Sequence, residues 1–243
     1  MSKHFAIIAG VGGGTGRSIA LKFAKAYPVV LLSRTPTSYE ATVQEINATG
    51  GQAVGISADL TDVESTQSAF SQIKKLYPEG HLAAAIFNAA ALVRQPFLEL
   101  TPQAFQQGLT NSVTAGFNFS QATLPLLLQC AQVESSGTLS PTLIFTGATA
   151  SLKGSPNFAA FAAGKFALRG MAQSLAREFG PQGVHVAHSI IDGIIDTPVT
   201  KGWGFNGAKL TPEAIADSYW YLHMQPRAAF TFELDLRPSS EKW

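Results

Sequence analysis

The sequence predicts a doubly wound, Rossmann-like α/β fold with a parallel sheet flanked by helices, and three observations carry the prediction. Short β-rich runs recur at 5–9, 29–33, 53–57, 82–87, 142–146, 184–191 and 230–236, with longer helical patterns between them. Such alternation fits right-handed βαβ crossovers. The runs are apolar enough to be covered on both faces, as parallel strands are. The first run passes directly into Gly10-Val11-Gly12-Gly13-Gly14-Thr15-Gly16, and a helix is expected over 17–26.

Helix signals set the remaining boundaries. Pro28 is expected to end the first helix, Thr101-Pro102 and Thr211-Pro212 read as N-cap plus N1 pairs, and Gly180-Pro181 closes a helix before the next strand. The stretch from 194 to 208 has weak periodicity and carries Trp203 and Phe205, which suits a small lid around 194–210 over a pocket. No repeat, linker or low-complexity tract interrupts the chain, so residues 1–243 are read as one domain.

Composition narrows the partners. The chain has 243 residues, 46% of them apolar and 14% charged, with a formal net charge of +1. That is enough apolar material for a sizeable core. No basic cluster offers a footprint for nucleic acid or an anionic membrane, and no run reaches the ~18 apolar residues of a membrane span. Cys130 is the single cysteine, and the five histidines show no paired metal-ligand spacing. A small-molecule partner, no metal and a reducing, cytoplasmic setting are the expectations.

The glycine turn between strand and helix is suited to a dinucleotide pyrophosphate. Glycine permits φ > 0 and close backbone approach, and the helix start presents unpaired N–H groups and a positive dipole end to the anion. In this fold ligands bind beyond the carboxyl ends of the strands. After the second run comes Ser33-Arg34, where an NAD-preferring protein usually carries an acid for the ribose hydroxyls. Arg34 can instead pair with a 2′-phosphate through several donors, so NADP(H) is favoured over NAD(H); the alternative is a solvated surface charge. Asp59-Leu60 and Asn88-Ala89-Ala90 follow the third and fourth runs and suit the adenine side and the sheet centre.

With Gly10-x-x-x-Gly14-x-Gly16, Asp59-Leu60, Asn88-Ala89-Ala90, Asn111, Lys165 and Asp192-Gly193-x-x-x-Thr197 in order, nearly the whole chain resembles the short-chain dehydrogenase/reductase family. The resemblance implies a seven-stranded sheet, reversible hydride transfer between carbonyl and alcohol, and a homodimer or homotetramer built by helix pairing and last-strand packing. It also implies that Asp59 approaches the adenine, Asn88 the adenosine ribose, Lys165 the nicotinamide ribose, and Ile195 with Thr197 the carboxamide.

Two departures stand out. The family's Tyr-x-x-x-Lys is Phe161-Ala162-Ala163-Gly164-Lys165 here, and its serine, thirteen residues earlier, is Ala148. Phe161 has no proton to give and Ala148 no hydrogen bond, so a term that typically contributes 10²–10⁴-fold is missing from the family's usual place. Asn111 and Lys165 remain. The family's Pro-Gly after the sixth strand is Asp192-Gly193, and the segment from 183 to 193 is one residue longer than the family pattern. Asp192 is either a replacement acid raised by burial or a turn former. Thr149 and Ser151 could orient a substrate oxygen, His188 reads as a core histidine, and His223 lies on a helix expected to border the pocket. Leu92, Val93, Leu152, Phe158, Trp203 and Phe205 are expected to give an apolar wall for a hydrophobic or aromatic substrate. The reading is an NADP(H)-dependent oxidoreductase for a small apolar or aromatic carbonyl, enone or imine with an atypical proton donor. The alternatives are a cofactor-binding pseudoenzyme with a regulatory or scaffolding role, and non-redox catalysis in the same pocket.

Overall fold

The computed structural model describes residues 3–134, 140–204 and 207–240. Seven strands form one parallel sheet: β1 His4–Ala9, β2 Val29–Ser33, β3 Ala53–Ser57, β4 His81–Phe87, β5 Thr142–Thr146, β6 His185–Ile191 and β7 Glu233–Leu236. Their spatial order is β3-β2-β1-β4-β5-β6-β7, so the chain reverses direction across the sheet between β1 and β4. Seven α-helices cover the two faces: α1 Thr15–Phe23, α2 Glu40–Ala48, α3 Val63–Leu76, α4 Pro102–Leu109, α5 Ala115–Val133, α6 Ala159–Phe179 and α7 Pro212–His223. This is the predicted architecture.

The cause is visible in the burial of the strands. Every residue from Phe5 to Ala9 and from Leu82 to Phe87 is buried, which leaves no solvated face for polar alternation. One core layer gathers Phe87, Phe119, Phe145 and Leu168 between the sheet and α3, α5 and α6; the other gathers Ile19, Phe23, Ile215 and Tyr219 under α1 and α7. The two threonine caps behave as the sequence predicts. Thr101 accepts from the Ala104 N–H at 3.1 Å and Thr211 from the Ala214 N–H at 3.3 Å.

Three boundaries differ from the sequence expectation. The first helix runs Thr15–Phe23 rather than 17–26, because the chain loosens into short turns ahead of Pro28: Lys25 bonds back to Lys22, and Ala26 and Tyr27 both to Phe23. The residue before a proline is biased away from the helical region, so the chain leaves the helix ahead of Pro28. The sixth strand begins at His185, since Gly183 takes φ +87 and the Val184 N–H closes onto Phe179 instead of pairing. The last strand begins only at Glu233. Gln225 brackets Thr231 through two 2.8 Å bonds, and His185 takes the Thr231 carbonyl at 2.9 Å, so residues 230–232 serve a loop.

A π-helical turn at Thr110–Thr114 joins α4 to α5 and carries Asn111. Ile195 bridges to Leu210, which ties the two ends of the 194–210 stretch to each other. Phe205, expected in that stretch, lies outside the described residues.

Candidate functional site

β1 ends where the sheet order reverses, and the glycine turn begins there. Gly10 takes φ +81 and lies so close to Ala89 that a Cβ would sit 2.4 Å from its nitrogen. Gly16 is packed against the Gly10 carbonyl at 2.5 Å by the same measure, whereas a Cβ at Gly12 or Gly13 would meet nothing within 4 Å. Gly10 and Gly16 are therefore glycine for internal packing, while Gly12 and Gly13 leave open space above α1. Gly14 faces Thr197, with 2.7 Å between a would-be Cβ and the Thr197 methyl.

Two cavities meet at this turn. The first, about 270 Å³, is lined by Gly10, Gly12, Ser33, Arg34, Asp59, Leu60, Asn88, Ala89 and Asn111 among others. The second, about 480 Å³, is lined by Gly10 and Gly12 through Gly16, Asn88, Ala148, Phe161, Lys165, Ile191, Ile195, Thr197, Pro198 and Val199 among others. The glycine turn, Arg34, Asp59, Asn88, Asn111, Ala148, Phe161, Lys165, Ile195 and Thr197 thus converge on one cleft along the carboxyl ends of the strands. Arg34 also borders a third cavity, about 650 Å³, over the glutamines of α4. A groove of about 750 Å³ between α1, α2 and α7 lies away from the strand ends, beside the Lys22–Asp217 pair.

Hydrogen bonds tie the cleft floor together. Asn88 donates to the Gly10 carbonyl at 3.1 Å and accepts from the Thr146 hydroxyl at 3.1 Å. Thr146 also pairs with the Tyr219 hydroxyl at 2.8 Å, and its carbonyl accepts from Lys165 Nζ at 2.8 Å. Lys165 is 1% exposed, and burial lowers its pKa to about 8. Its Nζ lies 5.7 Å from the centre of the Phe161 ring, over which a cation is attracted by the aromatic quadrupole. The Asp59 carboxylate accepts from both the N–H and the hydroxyl of Thr61, a turn fixed by its own side chain. Asn111 carries a buried amide nitrogen without a partner among the described residues, and the Leu60 carbonyl takes its bond from Asn118 at 2.9 Å.

Asp192, at the end of β6, is 5% exposed. It accepts from the Thr149 hydroxyl at 2.5 Å and meets Arg237 at 3.2 Å through its other oxygen. Ser151 is fully buried, and its hydroxyl accepts from the Ala148 N–H at 3.1 Å. His188 is a core residue beneath the site: its Nδ1 lies 3.2 Å from Glu233, which Arg169 grips with two bonds, and burial lowers its pKa to about 4.

Two expectations are corrected. His223 does not border the cleft. It lies at the opposite, amino-terminal edge of the sheet, bonded to Tyr27 at 3.0 Å and to Thr142 at 2.9 Å, because α7 runs away from the strand carboxyl ends. The apolar wall also differs from the sequence choice: Phe161, Ile191, Ile195, Pro198 and Val199 line the second cavity, and Leu92, Val93, Leu152, Phe158 and Trp203 do not. Arg237 was not singled out in the sequence, since only the return of β7 beside β6 brings it to Asp192.

Comparison with known proteins agrees with this geometry. The family model of the short chain dehydrogenases matches residues 4–205, and the chain belongs to that oxidoreductase family. It is 27% identical over 251 residues to a sepiapterin reductase of Chlorobaculum tepidum, covering 98% of this chain and 97% of the relative. A short-chain dehydrogenase from Rhodopseudomonas palustris, known as a crystal structure, is 34% identical, covers 98% of this chain and 100% of its own, and superposes with a TM-score of 0.79. A metagenomic short-chain oxidoreductase in complex with NADP shares the fold at 21% identity and a TM-score of 0.80, with 98% of this chain and 99% of the other covered.

Proposed function

We propose that this chain is an NADP(H)-dependent oxidoreductase acting on a small apolar or aromatic carbonyl, enone or imine, or on the corresponding alcohol, with a proton donor different from the family's tyrosine. The observation that carries the reading is the continuous cleft from Arg34 to Lys165, floored by the glycine turn. The residues present fit a dinucleotide. A Cβ at Gly14 would fill the space beside Thr197, Gly12 and Gly13 leave open space at the helix start, and among the described residues the Asn111 amide is an unpaired donor in the first cavity's wall.

On this reading, the N–H groups at the start of α1 hold the pyrophosphate and Arg34 pairs with the 2′-phosphate. Asp59 borders the adenine, Asn88 the adenosine ribose, Lys165 the nicotinamide ribose, and Ile195 with Thr197 the carboxamide. The bound dinucleotide supplies hydride chemistry. Phe161 supplies no proton and instead gives the reacting centre an apolar wall, together with Ile191, Ile195, Pro198 and Val199. That wall favours an apolar or aromatic substrate. Residues 194–210 act as the lid, the chain works as one domain, and it assembles as a homodimer or homotetramer in the cytoplasm.

Titration with NADPH and NADH, followed by nucleotide absorbance against a panel of ketones, enones, imines and alcohols, tests the reading. Tighter binding of NADPH with turnover of an apolar member supports it. Tight binding with no hydride transfer to any of them overturns the redox assignment.

A further inference from the structure

Thr149, Asp192 and Arg237 form a connected line that starts at the residue following Ala148 of the second cavity's wall. We infer that Thr149 and Asp192 are the proton relay of this site, with Thr149 touching the substrate oxygen and Arg237 positioning the carboxylate; the inference rests on the oxidoreductase reading above.

The geometry is specific. Thr149 directly follows Ala148, which lines the second cavity together with Phe161 and Lys165, and Thr149 is only partly buried. Its hydroxyl donates to Asp192 Oδ1 at 2.5 Å. With its proton committed to Asp192, the Thr149 oxygen keeps lone pairs that can accept a bond from a substrate hydroxyl. Arg237 holds Asp192 Oδ2 at 3.2 Å and is itself anchored on Asp235, so the carboxylate is fixed in orientation on its far side. At 5% exposure, and with its other oxygen taken by Arg237, the Asp192 carboxylate is approached from the cleft side by way of Thr149.

In alcohol oxidation the substrate C–H bond gives its hydride to the oxidised nicotinamide nucleotide. The substrate O–H proton passes to Thr149 Oγ1, and the proton of Thr149 passes to the Asp192 carboxylate, leaving a carbonyl compound and a neutral carboxyl group that then returns its proton to solvent. Carbonyl reduction runs the same steps backwards, from protonated Asp192.

The test compares wild type with T149V, T149S and D192N. Expected are a loss of turnover of roughly 10²–10⁴-fold in T149V, retention of most activity in T149S, and an NADPH dissociation constant and melting temperature of T149V close to wild type. D192N is expected to lose turnover to a degree similar to T149V while keeping its affinity for NADPH. T149V with unchanged turnover overturns the relay while leaving the oxidoreductase reading intact. T149V whose activity falls only in step with its melting temperature also overturns it, since the contact would then be a strut between β5 and β6. A wild-type protein that binds NADPH and transfers no hydride overturns both.

Discussion

Arg34 is an exposed cation at the tip of β2, so its replacement tests electrostatics with little disturbance of packing. R34D is expected to weaken NADPH binding by roughly tenfold or more and to narrow or reverse the margin over NADH, as read by fluorescence titration. Lys165 sets a different balance. Its pKa of about 8 lies below the ordinary 10.5, so below pH 8 the fold carries a buried ammonium whose desolvation costs about 3 kcal/mol. K165M is therefore expected to raise the melting temperature at pH 7 while weakening nucleotide binding; wild-type stability should climb between pH 8 and 10.5 in a way that K165M does not. The glycine turn was legible from its place between strand and helix and Arg34 from its place after the second strand, whereas Asn111 and Lys165 were marked by the resemblance to the family's motifs. Arg237 was not, because Asp192 lies 45 positions away and no periodicity announces a pairing made by the return of a strand.

At the scale of elements, the strand-turn-helix unit separates two kinds of glycine. G16A places a Cβ 2.5 Å from the Gly10 carbonyl and is expected to lower both the melting temperature and nucleotide affinity. G12A meets nothing in the protein and should lower affinity alone, which thermal melts with and without NADPH would separate. The helix starts were readable from threonine-proline pairs; T211A should cost about 1 kcal/mol of stability, read by urea denaturation. Helix and strand ends were less readable. Phe23, Gly183 and Gln225 stop their elements through turns and side-chain brackets that a hydrophobic pattern does not encode.

For the whole molecule, three buried histidines weigh on the response to acid, His185, His188 and His223, each with its pKa lowered by burial. Burial lowers His188 and His223 to about 4, so each is neutral in the fold and takes a proton on unfolding anywhere between pH 4 and 6.5. Their contribution is fully present above pH 6.5 and is lost as pH falls towards 4, on the order of 3 kcal/mol for each. Urea midpoints should drop steeply between pH 6.5 and 5, and H223Q should soften that drop. The parallel sheet flanked by helices was legible from alternation alone, since such strands need helical crossovers; the spatial order of the strands was not. The wall of the second cavity was not, because Pro198 and Val199 reach it only once Ile195 is bridged to Leu210.

The seam between β4 and β5 gives the cleft a division of inheritance. Arg34, Asp59, Asn88 and the glycine turn precede it in the chain, whereas Ala148, Phe161, Lys165, Asp192 and residues 195–199 follow it. A single crossover after α5 between two related chains would then yield an offspring that takes its choice of nucleotide from one parent and its choice of substrate from the other. Such shuffling would be limited chiefly by the β4–β5 ladder and by the Asn88–Thr146 bond across the join.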